Sequence, residues 1–256
     1  MLETLLLDTA ALFGLLHLAG PIALRQTFRF FGQCQPQLIA AGELAPEVAA
    51  CLVPLTWGME SLGFELAGTY DLGKQSPHTR KFVAYLCNRT TNDYANVTVF
   101  VSPGMVDSYF EFSTSFSTGL TLETNNNDVL PLTPGAATTQ VFRFSSIREP
   151  SALFQLHRQL IGKYAAGAWA VPEIKGQEIQ RLVRTIENYG PRHIQLGYMK
   201  RSRDDKSYEL TWKGAVLMAW RTLWPTSVVR WLAHRQKMRA ELRSLEMRGV
   251  AALQKA

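Results

Sequence analysis

The sequence predicts an α+β protein: an antiparallel β-meander flanked by helices, with an N-terminal transmembrane helix and a C-terminal helix, β-hairpin and basic helix. Three observations predict it. An apolar run from Thr4 to Leu24 opens the chain. A stretch of alternating apolar and polar residues with short turns fills the middle. A basic, tryptophan-rich segment closes it. The expected boundaries are 1–31 for anchor and juxtamembrane segment, 32–168 for the α+β domain, and 169–256 for the remainder.

The run TLLLDTAALFGLLHLAGPIAL is long enough to cross a hydrocarbon core of about 30 Å as a helix. Asp8 and His17 are its strongly polar residues, and Pro21 falls near its far end, where a break matters least. Arg25 and Arg29 follow directly, which places the downstream chain in the cytoplasm by the positive-inside rule. Two other readings compete. A buried helix of a soluble protein would tolerate Asp8 and His17, whereas a signal peptide would want a basic start that this sequence lacks. Phe28, Phe30 and Phe31 beside the two arginines suit the membrane interface.

A helix is expected over Ala45–Leu62, with Pro46 in its first turn, Pro54 bending it and Gly63 stopping it. Six strands follow: Phe64–Leu72, Lys81–Cys87, Asn96–Ser102, Ser108–Phe116, Leu120–Thr124 and Gln140–Phe144. Phe110, Phe112, Thr114 and Phe116 alternate with Glu111, Ser113 and Ser115, so that strand has one buried and one wet face. Ser117-Thr118-Gly119 turns it into the next, and short connections predict antiparallel pairing throughout. A helix opens at Pro150 and runs to about Ala166, with Leu153, Leu156, Leu160, Ile161 and Tyr164 as its stripe and His157 on its face.

Beyond Trp169 a helix is predicted over Gly176–Asn188, stopped by Tyr189-Gly190-Pro191. A hairpin of Ile194–Met199 and Ser207–Trp212 carries a charged tip, and a helix from Lys213 to about Arg248 is interrupted at Pro225. Trp212, Trp220, Trp224 and Trp231 cluster here. From Arg201 onward twelve Lys and Arg face five Asp and Glu, so the chain's net charge of +6 resides in this quarter. That pattern fits an interfacial helix on anionic lipid or a helix docked on its own domain. The expected interface residues are Arg25, Arg29, Trp220, Trp224, Trp231, Arg235, Lys237 and Arg239.

Little in the sequence carries chemistry. His17, His78, His157, His193 and His234 have no metal-ligand spacing, and no nucleophile elbow, P-loop or dinucleotide fingerprint occurs. No catalytic residue, cofactor or metal is therefore expected. Cys34, Cys51 and Cys87 are odd in number and widely spaced, which suits thiols in a reducing compartment. Ser113, Ser115, Thr121 and Glu123 form a possible polar binding face, although hydroxyls are also ordinary on exposed strand positions.

Two resemblances bear on these residues. Tyr208-Glu209-Leu210-Thr211-Trp212-Lys213-Gly214 resembles the ending of winged-helix domains, where a wing hairpin runs into a helix. It implies a recognition helix at Gly176–Asn188, with Arg181, Arg184, Lys200, Arg201, Arg203 and Lys206 toward phosphates. The segments Leu55…Glu60-Ser61-Leu62-Gly63-Phe64, Phe112-Ser113-Thr114…Leu122-Glu123-Thr124-Asn125-Asn126 and Leu210-Thr211-Trp212-Lys213-Gly214-Ala215 resemble uncharacterised bacterial proteins with an N-terminal membrane segment and a small α+β domain. That likeness implies the layout and no activity. The sequence thus points to a non-enzymatic, membrane-anchored accessory or scaffold protein with its domain in the cytoplasm and another protein as a further partner. A nucleic-acid-binding module built on residues 176–214 is the alternative, and an enzyme acting at the polar face comes third.

Overall fold

The computed structural model describes residues 2–32, 35–172 and 174–253. Cys34 falls outside them, as do the side chains of Asp8 and Arg248. The element order is α1 (Leu2–Thr27), β1 (Arg29–Phe30), β2 (Gln37–Leu38), α2 (Pro46–Glu60), β3 (Glu65–Ser76), β4 (Thr79–Asn88), β5 (Asp93–Ser102), β6 (Met105–Ser115), β7 (Thr121–Asn125) and β8 (Thr139–Arg143). It continues through α3 (Pro150–Tyr164), α4 (Glu178–Gln195), β9 (Met199–Arg201), β10 (Tyr208–Leu210), α5 (Trp212–Thr222) and α6 (Thr226–Leu253). The α+β class holds. The chain divides into two units, one of residues 1–33, 131–134 and 185–234, the other of 34–130, 135–184 and 235–256.

The larger unit is built on a seven-stranded sheet in the order β2-β3-β4-β5-β6-β7-β8. Alternation puts Ala84, Leu86, Ala95, Val97, Phe110, Phe112 and Leu122 on one side, where Leu52 and Met59 of α2 and Leu153 and Leu160 of α3 close over them. Met238 and Leu245 of α6 join this core. The α6 segment is tied to the end of α3, where Lys163 Nζ donates to Ser244 Oγ at 2.8 Å and Tyr164 Oη donates to Glu241 Oε2 at 3.0 Å. On the other side Tyr85, Cys87 and Tyr94 pack with Leu182 from the start of α4.

All six expected strands are present and most are longer than their apolar cores. One pairing corrects the expectation: β7 and β8 run parallel, Thr121 opposite Thr139 and Asn125 opposite Arg143. The segment between Asn125 and Thr139 is long enough to carry the chain back to the starting edge, so no hairpin turn forces it antiparallel.

The smaller unit holds a three-stranded antiparallel sheet in the order β1-β10-β9. Met199, Leu210, Ala215 and Met218 form its core, joined by Leu24, Phe28, Leu132, Tyr189 and Tyr208. Here α4 corrects a second expectation, because it does not stop at Tyr189-Gly190-Pro191 but runs through Pro191 to Gln195. Gly190 serves packing instead. A Cβ there would lie 2.3 Å from the Tyr208 ring, so only hydrogen leaves the ring its place. Gly214 is tighter still, since its Cβ would lie 2.0 Å from the Tyr198 carbonyl oxygen. Thr211 caps α5 by accepting from the Gly214 N–H at 3.1 Å while its hydroxyl donates to Gly197 O at 2.7 Å. Among the described residues, no helix is long and apolar enough to cross a membrane.

Candidate functional site

The smaller unit displays two helices that are apolar on both sides. On α5, Gly214, Ala215, Met218 and Ala219 face inward. Trp212, Val216 and Trp220 follow one another at four-residue steps on the outward side, each about half exposed at 51%, 54% and 55%. On α1, Gly20 lies against Leu223 and Ala219, and Leu24 enters the core. Leu15, Leu18 and Ile22 recur at helical spacing on the far side and are exposed, Leu18 by 73%. Trp224, Val228, Val229, Trp231 and Leu232 extend the exposed apolar set into α6. A surface helix in water normally alternates apolar and polar sides, and these exposed stripes depart from that pattern.

Cations stand among these rings. The Arg25 guanidinium lies 4.5 Å from the centroid of Trp212, and its Nε–H is buried without a hydrogen-bond acceptor among the described residues. Lys213 Nζ lies 4.7 Å from the Tyr198 ring and donates to Leu196 O at 2.9 Å. His17 meets Trp220 edge to face, with centroids 6.1 Å apart. Tyr198, Trp212, Lys213, Val216, Leu217 and Trp220 line an open groove of about 510 Å³ along α5.

The expected interface residues are distributed as follows. Arg25 and Trp220 stand on the facing helices α1 and α5, while Trp224 lies between α5 and α6 and Trp231 is on α6, all in the smaller unit. Arg29 is engaged otherwise, bridging to Glu209 at 3.2 Å across the β1–β10 pair. Arg235, Lys237 and Arg239 are exposed on the part of α6 that belongs to the larger unit. Trp212, Val216, Leu217 and Lys213 were absent from the expected set. Periodicity could not select them, because both sides of α5 read as apolar.

Ser113, Ser115, Thr121 and Glu123 lie on the neighbouring strands β6 and β7. Ser113 pairs with Glu123, and Ser115 with Thr121, across β6 and β7. Ser115 Oγ and Thr121 Oγ1 are hydrogen-bonded at 2.9 Å, and Arg181 donates to Ser115 while its guanidinium lies 4.2 Å from the Tyr94 ring centroid. Glu111 accepts from Asn96 Nδ2 at 3.2 Å and from Asn125 Nδ2 at 2.9 Å. Burial and the neighbouring Glu111 charge push the Glu123 carboxyl up to about 8, against the opposing pull of Arg143 and Arg181. Glu123 therefore holds its proton to a higher pH than a free carboxyl does. The Ser115 and Thr121 hydroxyls are thus engaged with one another, and Ser115 with Arg181 as well.

A third polar group lies on the core side. His157, expected on the helix face, is fully buried. Thr114 donates to Asp93, so its Oγ1 accepts from His157 Nε2–H at 2.9 Å. Thr124 Oγ1 then donates to His157 Nδ1 at 2.9 Å. Asp93, itself buried, is bridged by Arg158 Nη1 at 3.0 Å. Desolvation, helped by the Arg158 charge, lowers the His157 pKa to about 3. The ring is a neutral tie between α3 and the sheet, with no free lone pair for a metal or a substrate. A cavity of about 150 Å³ opens beside Asp93, but Arg89 in its wall is held by Glu65 and Glu178. No group of three or more His, Cys, Asp or Glu placed to hold a metal occurs among the described residues.

No protein-family model, curated protein or solved structure matches this chain.

Proposed function

We propose that the protein is a non-enzymatic accessory or scaffold protein held at a membrane by its smaller unit, with the larger unit on the cytoplasmic side. Thr4–Leu24 is its anchor, and α5 enters the interface beside it. The observation that carries this reading is the pair of outward apolar stripes, Leu15-Leu18-Ile22 on α1 and Trp212-Val216-Trp220 on α5. In water each exposes surface that costs about 25 cal/mol per Å², and lipid removes that cost. Tryptophans and arginines side by side prefer the headgroup depth, where rings lie in the apolar boundary and guanidinium groups reach phosphate. Arg25 and Lys213 supply the cations, and the basic stretch Arg235, Lys237 and Arg239 adds electrostatic attraction to anionic lipid. The test is fractionation of cells making the full chain, followed by an alkaline carbonate wash. Retention in the membrane pellet is expected; a full chain that stays in the soluble fraction would overturn the proposal.

A second reading, nucleic-acid binding, is favoured by one feature. The β9–β10 hairpin follows α4 and runs into α5, the element order that the winged-helix resemblance implies. Three of the six residues expected toward phosphates weigh against it. Arg181 is engaged with Ser115 and Tyr94, Lys200 bridges to Glu209 at 3.3 Å, and Arg201 bridges to Asp205 at 2.8 Å. Fluorescence polarisation with a labelled duplex decides it: binding at low salt with a steep salt slope would favour this reading, and no binding at any salt removes it.

A further inference from the structure

We propose that the groove along α5 binds one acyl chain of an anionic phospholipid, whose headgroup phosphate pairs with Arg25, with Lys213 as second cation. The proposal rests on the membrane reading above and goes beyond it, from a surface that lies on lipid to a site that selects one. The floor and walls are Leu217, Val216, Trp212 and Trp220. Trp212 and Trp220 are eight residues apart, about 12 Å at about 1.5 Å per residue, so the groove has the length of a good part of an acyl chain. Its volume of about 510 Å³ lies inside the range of about 300–1,000 Å³ usual for small-molecule sites.

Charge decides the kind of amphiphile. Both cations are found at the start of α5, Arg25 stacked on Trp212 and Lys213 the next residue in the chain. The Arg25 Nε–H is buried and has no acceptor among the described residues, although a buried donor ordinarily finds one. The half-buried Arg25 and the exposed Lys213 together favour a headgroup of net negative charge over a zwitterion, whose phosphate carries its own ammonium. The bilayer lipid with an apolar tail and a net negative head is an anionic phospholipid, and phosphatidylglycerol is its simplest representative.

The experiment uses the full chain in mild detergent with added phosphatidylglycerol or phosphatidylcholine, read by native mass spectrometry. Co-sedimentation with vesicles of the same lipids is measured in parallel. One retained phosphatidylglycerol per chain is expected, at least tenfold over phosphatidylcholine. Val216→Asp places a carboxylate in the groove and should abolish retention; because Val216 is exposed, the core is untouched. Arg25→Gln with Lys213→Gln should erase the headgroup preference, and Trp220→Ala is the independent check on the groove. Unchanged retention in Val216→Asp and Trp220→Ala overturns the site, as does equal retention of the two lipids by the wild-type chain. Vesicle binding without retained lipid removes the groove and leaves membrane association standing. Retained lipid without vesicle binding does the reverse.

Discussion

Replacing His157 with Leu should give a protein whose deficit depends on pH in a defined way. At pH 7 the variant loses the ring's hydrogen bonds to Thr114 and Thr124, each 2.9 Å long and buried. Thr114 keeps its bond to Asp93, so the cost falls mostly on Thr124 and on the lost acceptor role of Thr114. Stranding such groups costs about 1–3 kcal/mol each, which gives a deficit of roughly 2–6 kcal/mol. The wild-type ring has a pKa lowered from 6.5 to about 3, so folded His157 stays neutral while the unfolded chain takes up a proton. Its stabilising contribution is whole above 6.5 and drains as pH falls toward 3, by about 1.4 kcal/mol per pH unit. By pH 4 the wild type has lost about 3 kcal/mol that the leucine variant cannot lose. Urea unfolding at pH 7, 6, 5 and 4 tests this, because titrations common to both chains cancel in the difference. The difference between the two stabilities should shift by about 3 kcal/mol in the variant's favour between pH 7 and pH 4. A difference that stays constant across the series would refute the buried, neutral histidine.

Three further outcomes follow from the same geometry. Glu123→Gln should stabilise the chain increasingly as pH rises from about 4.5 to 8, because the folded wild type retains a proton that the unfolded chain has released; thermal melts at pH 5 and 9 check this, and a shift of equal size at both would count against the displaced carboxyl. Gly190→Ala should cost about 1–3 kcal/mol by pressing on the Tyr208 ring, and a double-mutant cycle with Tyr208→Leu should recover part of it; strict additivity would contradict the contact. Thr211→Ala removes the α5 cap and its bond to Gly197, so a loss of about 1 kcal/mol is expected in denaturant titration.

Most of the sheet was legible because period-two alternation survives in the residues themselves, as Phe110, Phe112 and Phe116 show. The two-residue strands β1 and β2 were not, since such short segments carry no alternation and owe their existence to distant partners, Arg29 to Glu209 and Gln37 to Asp71. The parallel β7–β8 pair depends on the path of a connection, which local pattern does not encode. Pro191 reads as a stop, yet α4 runs through it to Gln195, with Gly190 fitted against the Tyr208 ring. The buried histidine left a faint mark: Thr114 and Thr124 occupy core-side positions in otherwise apolar rows, where a hydroxyl needs a polar partner. On α5 the tryptophans were visible, but which of two apolar sides faced outward was a matter of tertiary packing.

The threading of the smaller unit has a consequence for biosynthesis. Its helices α1 and α5 pack together, yet the whole seven-stranded sheet is encoded between them. At about 5–20 residues per second, a ribosome needs roughly ten to forty seconds to travel from Thr27 to Trp212. Throughout that interval α1 exists with both of its apolar sides bare. A nascent helix in that state offers its apolar surface to whatever captures such segments before its own partner helix has been made.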